Sequence, residues 1–539
     1  MVRQAFEKFT RSPPEADRDP LIIELVLREP TSETEMRRRL SEALPDVTFE
    51  IDAVFDASSD RFHFAVFPEI DPHGQERAAF SFARELRPAV SAEEANPVLP
   101  DGLYGAAHLS DRADVESALA SCETPRNSDL PFNWHHVGLR TSEAWAMTRG
   151  AGITVAVIDT GHSSHQELCG AIRELGQWNL IEGGTDAADR FSRGFLTNPG
   201  HGTLVMSVVA SRGNGTADST TDAVTGIAPE AKILPIRAIQ SVIDFTQRRI
   251  PPAIVHAVDQ DADVIVMALG GPTRVAATEQ AVRHAVSAGT IVVCAAGNCW
   301  PAVVFPAAYA RMGLCTAVAA LQPDLRPWPR TGRGPEVTIS TYGEHVWGAA
   351  KNDASASDTG VRASQGTTLA TSITAGVAAF WVARHGGRAS LLTKARAAGT
   401  TVQAMWTHCL TAGIKRPPAW DNASDLGRGV LDAKRVLDAS LPTGAEAIAA
   451  PHSEAEPTIN VLLAHFAGRS EAAVSEVGPA MGPFAAELLW LSYRAGARRR
   501  AAGTGTESAG AYDVPSETLE AVLSEASALR DVLRPDSSS

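Results

Sequence analysis

Between residues 132 and 440 the chain repeats one pattern: a short apolar run without polar alternation, then a stretch with helical spacing. The runs include Ile153–Ile158, Lys232–Arg237, Val264–Met267, Ile291–Cys294 and Cys315–Ala319. A strand with one wet face alternates apolar and polar residues, so consecutive β-branched residues belong to a strand covered on both faces. Helical stretches between such strands supply the crossovers that parallel pairing requires. The pattern predicts α/β architecture, a doubly wound parallel sheet with helices on both faces.

The flanks read differently. Residues 1–20 are expected to be a flexible lead. Leu21–Leu27 reads as a strand and Ser32–Leu44 as a helix, with Ser32 as N-cap and Glu35 three residues on. Val47–Phe55 and Arg61–Phe67 alternate as two strands joined by the turn at residues 56–60; a helix near Gln75–Leu86 and a short strand before Pro97 follow. That β-α-β-β-α-β order, over residues 21–100, is the ferredoxin-like α+β arrangement. Residues 101–131 carry turn residues and little periodicity and read as a linker. Residues 441–539 open on a Pro/Glu-rich stretch and then show helical spacing at 458–467, 484–494 and 516–533, which predicts a helical C-terminal extension.

Charge narrows the function classes. Lys+Arg 48 against Asp+Glu 63 leaves a net charge of −15, the wrong sign for neutralising phosphates, so no nucleic-acid partner is expected. No apolar window reaches the length of a membrane helix and no targeting segment is visible. The six cysteines (Cys122, Cys169, Cys294, Cys299, Cys315, Cys409) contain no CxxC pair. They read as small apolar residues with no zinc spacing, in a cytoplasmic protein.

Four segments carry chemistry. The first predicted strand runs into Asp159-Thr160-Gly161, and groups beyond the carboxyl ends of parallel strands gather at a ligand crevice. His201 lies between Gly200 and Gly202 at the head of an apolar helical run, where bare backbone permits a close approach. Asn298 follows the strand Ile291–Cys294 and can donate into the same crevice. Thr367 and Thr368 open the apolar stretch Ile373–Val382, at the positive end of a helix with free N–H groups. Taken singly, each also fits a structural role, as a turn aspartate, a packed histidine or a threonine cap.

Together these segments resemble the subtilisin-like serine proteases, or subtilases. Val155–Gly161 is similar to the family's aspartate motif, His201-Gly-Thr203 to its histidine motif and Ala295–Asn298 to its oxyanion motif. Gly366-Thr-Thr-Leu-Ala-Thr371 resembles the serine motif Gly-Thr-Ser-Met-Ala-Thr. The Asp, His, nucleophile order is that of subtilisin. Gly226–Ala231, Met267–Gly271, Phe305–Tyr309 and Gly427–Ala433 have family counterparts as well, so the resemblance covers about 300 residues. It implies a peptidase domain over 132–440. In it Asp159 orients His201, His201 is the general base, and residue 368 is the nucleophile. Asn298 would be the oxyanion donor, and Ala268, Leu269, Gly270 and Gly271 would pair with an extended peptide or protein substrate. Val304, near where many relatives keep a small pocket floor, implies modest apolar side chains before the scissile bond. The N-terminal block has the position of a prodomain. No cofactor is required, although calcium is common in the family and the loop 213–222 offers Asn214, Asp218 and Asp222. The C-terminal helices are left as a surface for a protein partner.

One departure matters. The family serine is Thr368 here, a hydroxyl of similar acidity burdened with a methyl that restricts χ1, and Ser372 stands where the family prefers proline. The expected function is endopeptidase activity through an Asp159/His201/Thr368 triad, with activity lowered by the threonine. The alternative is a catalytically silent subtilase fold that binds peptides or proteins.

Overall fold

The computed structural model describes residues 1–14, 19–98, 128–193, 197–213, 223–244, 246–300, 302–414, 416–420 and 424–443, and within the C-terminal part 484, 486–488, 490–491 and 515–525. The chain forms two compact units. One takes residues 1–115, 272–277 and 456–539, the other 116–271 and 278–455.

In the first unit, strands β1 (Leu21–Thr31), β2 (Glu50–Ala53), β3 (Asp60–Phe67) and β4 (Ala92–Val98) form one sheet in the order β2-β3-β1-β4. Every pairing is antiparallel. Helices Glu33–Ala43 and Glu76–Ala89 complete the β-α-β-β-α-β sequence. The Ser32 side chain accepts the Glu35 N–H at 3.2 Å, so the residues that signalled the first helix also cap it.

The lead is not flexible throughout. Val2–Phe6 is a helix, and Phe6 and Phe9 are buried, with ring centroids 5.4 and 5.7 Å from Phe82. Phe6 at the end of that helix and Phe9 in the turn that follows bury enough apolar surface to hold the segment. The described C-terminal residues belong to the same unit. Trp490 packs its ring 5.9 Å from Phe80, and buried Glu487 accepts from Arg84 at 2.5 Å and from the Ser516 N–H at 2.6 Å. A helix spans Glu517–Glu525, within the stretch expected to be helical; the stretch expected at 458–467 lies outside the described residues.

The second unit contains β5 (Thr154–Asp159), β6 (Trp178–Asn179), β7 (Lys232–Arg237), β8 (Val264–Met267), β9 (Ile291–Ala295), β10 (Thr316–Leu321) and β11 (Ile339–Tyr342). Their order is β11-β10-β9-β8-β5-β7-β6 and every pairing is parallel. The doubly wound sheet follows from strands with no wet face: β8, β9 and β10 are buried along their whole length. Helix Thr367–Arg384 packs against β8 to β11 and is buried from Thr367 to Val382, and the buried hydroxyls of Thr371, Ser372 and Thr374 donate to the carbonyls four residues back. Strand order reverses around β5, between β7 and β8. The crevice beyond the carboxyl end of β5 is therefore the topological switch point, where open α/β sheets bind their ligands.

Among the described residues, no helix is long and apolar enough to cross a membrane. Cys169, Cys294, Cys315 and Cys409 are free thiols, but Cys299 is disulfide-bonded. This corrects the reading of all six cysteines as unpaired. A single bridge between distant residues leaves no spacing signature, and cysteine usage no longer argues for a reducing compartment.

Candidate active site

Asp159 is the last residue of β5 and lies at the switch point, fully buried. Its carboxylate needs donors there, because an unpaired buried charge is costly. It accepts the Thr160 N–H at 2.7 Å and lies 2.9 and 3.0 Å, through its two oxygens, from His201 Nδ1. His201 is the first residue of the helix His201–Ala210. The flanking glycines explain its reach. Gly200 has φ +80°, and a Cβ there would lie 1.7 Å from the Lys351 carbonyl oxygen. A Cβ on Gly202 would lie 2.2 Å from the Gly161 carbonyl oxygen. Only bare backbone allows the histidine helix to sit this close to the end of β5.

On its other side, His201 Nε2 lies 3.2 Å from Thr368 Oγ1. Thr368 is the second residue of the helix Thr367–Arg384, in a first turn whose N–H groups have no carbonyl four residues back within the helix. The neighbouring hydroxyl is turned elsewhere. Thr367 donates its N–H at 2.9 Å and its Oγ1 at 2.8 Å to Asn298 Oδ1. With its oxygen held by two donors, the Asn298 amide presents Nδ2 on the opposite side. There a Cβ on Gly366 would come within 3.0 Å of it. Asp159, His201, Thr368 and Asn298 thus meet around one point, and the geometry separates the two threonines that the sequence could only order by motif register.

The segment Ala268–Gly271 continues from β8 beside this point, and all four residues are buried. Its edge is occupied from within the chain. The Gly270 N–H donates to the Val242 carbonyl at 2.9 Å, and the Gly270 carbonyl accepts the Asp244 N–H at 3.1 Å. Gly271 exchanges both backbone bonds with Phe305, at 3.0 and 2.8 Å. Val304 is buried between two glycines: a Cβ on Gly270 would meet its Cγ2 at 2.6 Å, and one on Gly297 its Cγ1 at 2.9 Å.

Several groups at the site escaped the sequence reading. Asp189 accepts from Thr160 Oγ1 and the Gly200 N–H, and Arg237 at the end of β7 is buried beside it. Arg237 did carry a signal, as the charged end of an otherwise apolar buried run; Asp189, in a stretch with no periodicity, carried none. Residues 214–222, including Asn214, Asp218 and Asp222, lie outside the described residues. Among the described residues, no group of three or more His, Cys, Asp or Glu is placed to hold a metal ion.

The arrangement is a hydroxyl, an imidazole and a carboxylate in series, beside an amide donor at the head of a helix. The profile of the subtilase family (Peptidase S8) matches residues 150–427. Thermitase of Thermoactinomyces vulgaris is 30% identical over 254 residues, 47% of this chain and 82% of that protein. The major intracellular serine protease of Bacillus subtilis is 36% identical over 166 residues, 30% of this chain and 47% of that protein. A crystal structure of MycP1 with its N-terminal propeptide removed superposes with a TM-score of 0.44 at 24% identity, covering 58% of this chain and 100% of that one. The chain belongs to the subtilase family, and its sequence relatives are subtilisin-like serine proteases.

Proposed function

We propose that this chain is a subtilisin-like endopeptidase whose nucleophile is Thr368. The observation that carries the reading is the position of His201, 2.9 Å from Asp159 on one side and 3.2 Å from the Thr368 hydroxyl on the other. In the reaction, Thr368 Oγ1 attacks the scissile carbonyl carbon as His201 Nε2 takes its proton. Asp159 holds Nδ1–H toward itself and stabilises the imidazolium. Asn298 Nδ2 and the Thr368 N–H receive the oxyanion. His201 then passes its proton to the amine as the C–N bond breaks, and water activated by His201 cleaves the ester to free Thr368. No step calls for a cofactor. The N-terminal unit is the candidate prodomain, and its β-α-β-β-α-β fold and position in the chain support that role. A cytoplasmic location is supported by relatives named as intracellular serine proteases.

Ala268 to Gly271 would take the substrate as an added strand. For Gly270 to do so, Val242 and Asp244 must release its N–H and carbonyl, so the resting site is latent. The methyl of Thr368, with Ser372 where the family prefers proline, favours the second reading, a silent subtilase fold that binds peptides or proteins. Hydrolysis of a broad peptide library by the full chain decides between them. Turnover abolished by Thr368→Ala supports the peptidase, whereas peptide binding with no turnover in any form leaves the binding protein.

A further inference from the structure

Asp159 and His201 stand on separate elements, and both lie at or beyond the end of the sheet ladder. β5 ends at Asp159, which pairs in register with Arg237 on β7. The backbone bonds of the sheet therefore do not set the distance between the strand's end and the histidine helix.

We propose that Asp189 is a positioning residue, a carboxylate that ties the end of the Asp159 strand to the start of the His201 helix with buried Arg237 as its counterion. The inference rests on Asp159 and His201 acting as the pair of the proposed peptidase.

Asp189 is buried. Its Oδ2 accepts from Thr160 Oγ1 at 2.9 Å and from the Gly200 N–H at 2.7 Å. These donors belong to the residue after Asp159 and the residue before His201. Thr160 Oγ1 in turn accepts the Gly202 N–H at 3.0 Å, so the residues on both sides of His201 are held by one carboxylate–hydroxyl unit. The other oxygen, Oδ1, accepts the Phe191 N–H at 2.7 Å and faces Arg237 Nη1 at 3.8 Å. The Arg237 side chain is 1% exposed. It donates to the Thr160 carbonyl and, at 2.9 and 2.7 Å, to both oxygens of Glu182. The cation and the carboxylate thus grip the same residue, Thr160, through its carbonyl and its hydroxyl.

Three hydrogen-bond donors and a cation converge on Asp189. An asparagine of the same shape has one acceptor oxygen, so in either orientation its NH2 must face a donor or the guanidinium. The pair spacing should then relax while most of the packing survives. A displacement of about 1 Å at such a pair costs roughly 10²-fold in rate. A group that serves only the turn would lower stability and leave the Asp159–His201 hydrogen bond unchanged.

The experiment uses the full chain carrying Asp189→Asn, Thr160→Val or Thr160→Ser. Its first readout is the downfield proton NMR signal of His201 Nδ1–H bonded to Asp159, which needs no turnover. Its second is kcat and KM on a cleavable peptide. The expected result is loss or strong broadening of the signal in Asp189→Asn and Thr160→Val, with Thr160→Ser, which keeps the hydroxyl, retaining it. In the same two variants kcat should fall about 10- to 100-fold with KM nearly constant. An unchanged signal in folded Asp189→Asn or in Thr160→Val overturns the proposal. If Asp189→Asn fails to fold, the Thr160→Val and Thr160→Ser pair decides by the same signal. A chain silent toward every peptide but with the expected loss of signal would end the peptidase reading and leave the positioning role standing.

Discussion

Replacing Thr368 by serine removes one methyl and nothing else from the candidate nucleophile. The hydroxyl already lies 3.2 Å from His201 Nε2, at the outer edge of the roughly 2.6–3.2 Å window for proton transfer. The threonine therefore does not displace its oxygen by a full ångström, and the penalty of about 10²-fold for such a displacement is an upper bound. What remains is rotation. To move from facing His201 to bonding the carbonyl carbon, Oγ1 must turn about χ1, and the methyl turns with it. Thr368 is 4% exposed, so that methyl sweeps through packed neighbours. The serine form should gain about 10- to 100-fold in kcat/KM, equivalent to about 1.4–2.7 kcal/mol of barrier. It should lose about 1 kcal/mol of stability for the missing buried methyl. The assay is hydrolysis of a peptide library, with labelling by a fluorophosphonate, for the native, Thr368→Ser and Thr368→Ala proteins. A serine form no faster than the native one refutes the methyl as brake, and activity surviving in Thr368→Ala refutes Thr368 as nucleophile.

Other perturbations test separate parts of the structure. Val304→Gly empties the space between Gly270 and Gly297, and should raise relative affinity for peptides with a large residue before the scissile bond at least tenfold, by about 1.4 kcal/mol or more for the apolar area newly covered; an unchanged preference would place that side chain elsewhere. Asn298→Ala should lower kcat by about 10²–10³ with little change in KM, the range known for this donor in subtilisin itself, and equal losses in binding and rate would count against an oxyanion role. Burial raises the Glu24 carboxyl from 4.5 to about 7 despite the Ala277 N–H it accepts. The folded form thus holds the proton more tightly than the unfolded one, so the contribution of Glu24 to the stability of the first unit is full below pH 4.5 and falls by about 3 kcal/mol as pH rises toward 7. Hydrogen exchange of β1 amides should follow that fall and lose it in Glu24→Gln; a flat profile in the native protein would contradict the burial argument. Arg84→Met leaves the buried Glu487 carboxylate with Ser516 as its one partner among the described residues, and should destabilise the packing of Trp490 on Phe80 by up to about 3 kcal/mol, read by tryptophan fluorescence during denaturation.

The parts of the fold that were legible are those where one local rule acts alone. β7 and β8 fall where the apolar runs were placed, because a fully buried strand cannot tolerate polar alternation. The helix after Ser32 was legible because its cap is chemical, and Ser32 does accept the Glu35 N–H. The strand expected over Val47–Phe55 is shorter, with Glu50–Ala53 in register with β3 and the Val54 N–H adding a bond to the Phe62 carbonyl. Alternation extends past the residues that find a partner, and pairing is a property of two segments. β6 has two residues and no pattern to detect. The lead looked polar and prolyl, yet Phe6 and Phe9 meet Phe67 and Phe82 from distant parts of the chain. No local rule reports that contact.

The candidate site divides along the same line. Asp159, His201, Asn298 and Thr368 could be picked out because each sits at the end of a regular element with glycine beside it or a helix dipole behind it, and such positions leave a mark in the sequence. The groups that hold them do not. Asp189 lies in an aperiodic stretch, and its meaning comes from three donors supplied by residues 160, 191 and 200. The Val242–Asp244 segment closes on Gly270 by backbone bonds alone, and backbone bonds say nothing through residue type. A motif therefore reports the groups that touch the reacting atoms. Whether they stand at working distance, and whether the substrate edge is free, is decided by buried charges and backbone pairs that only the folded chain brings together. In this protein the triad-like residues are assembled, while Gly270, in the segment proposed to receive a peptide, is already bonded to Val242 and Asp244.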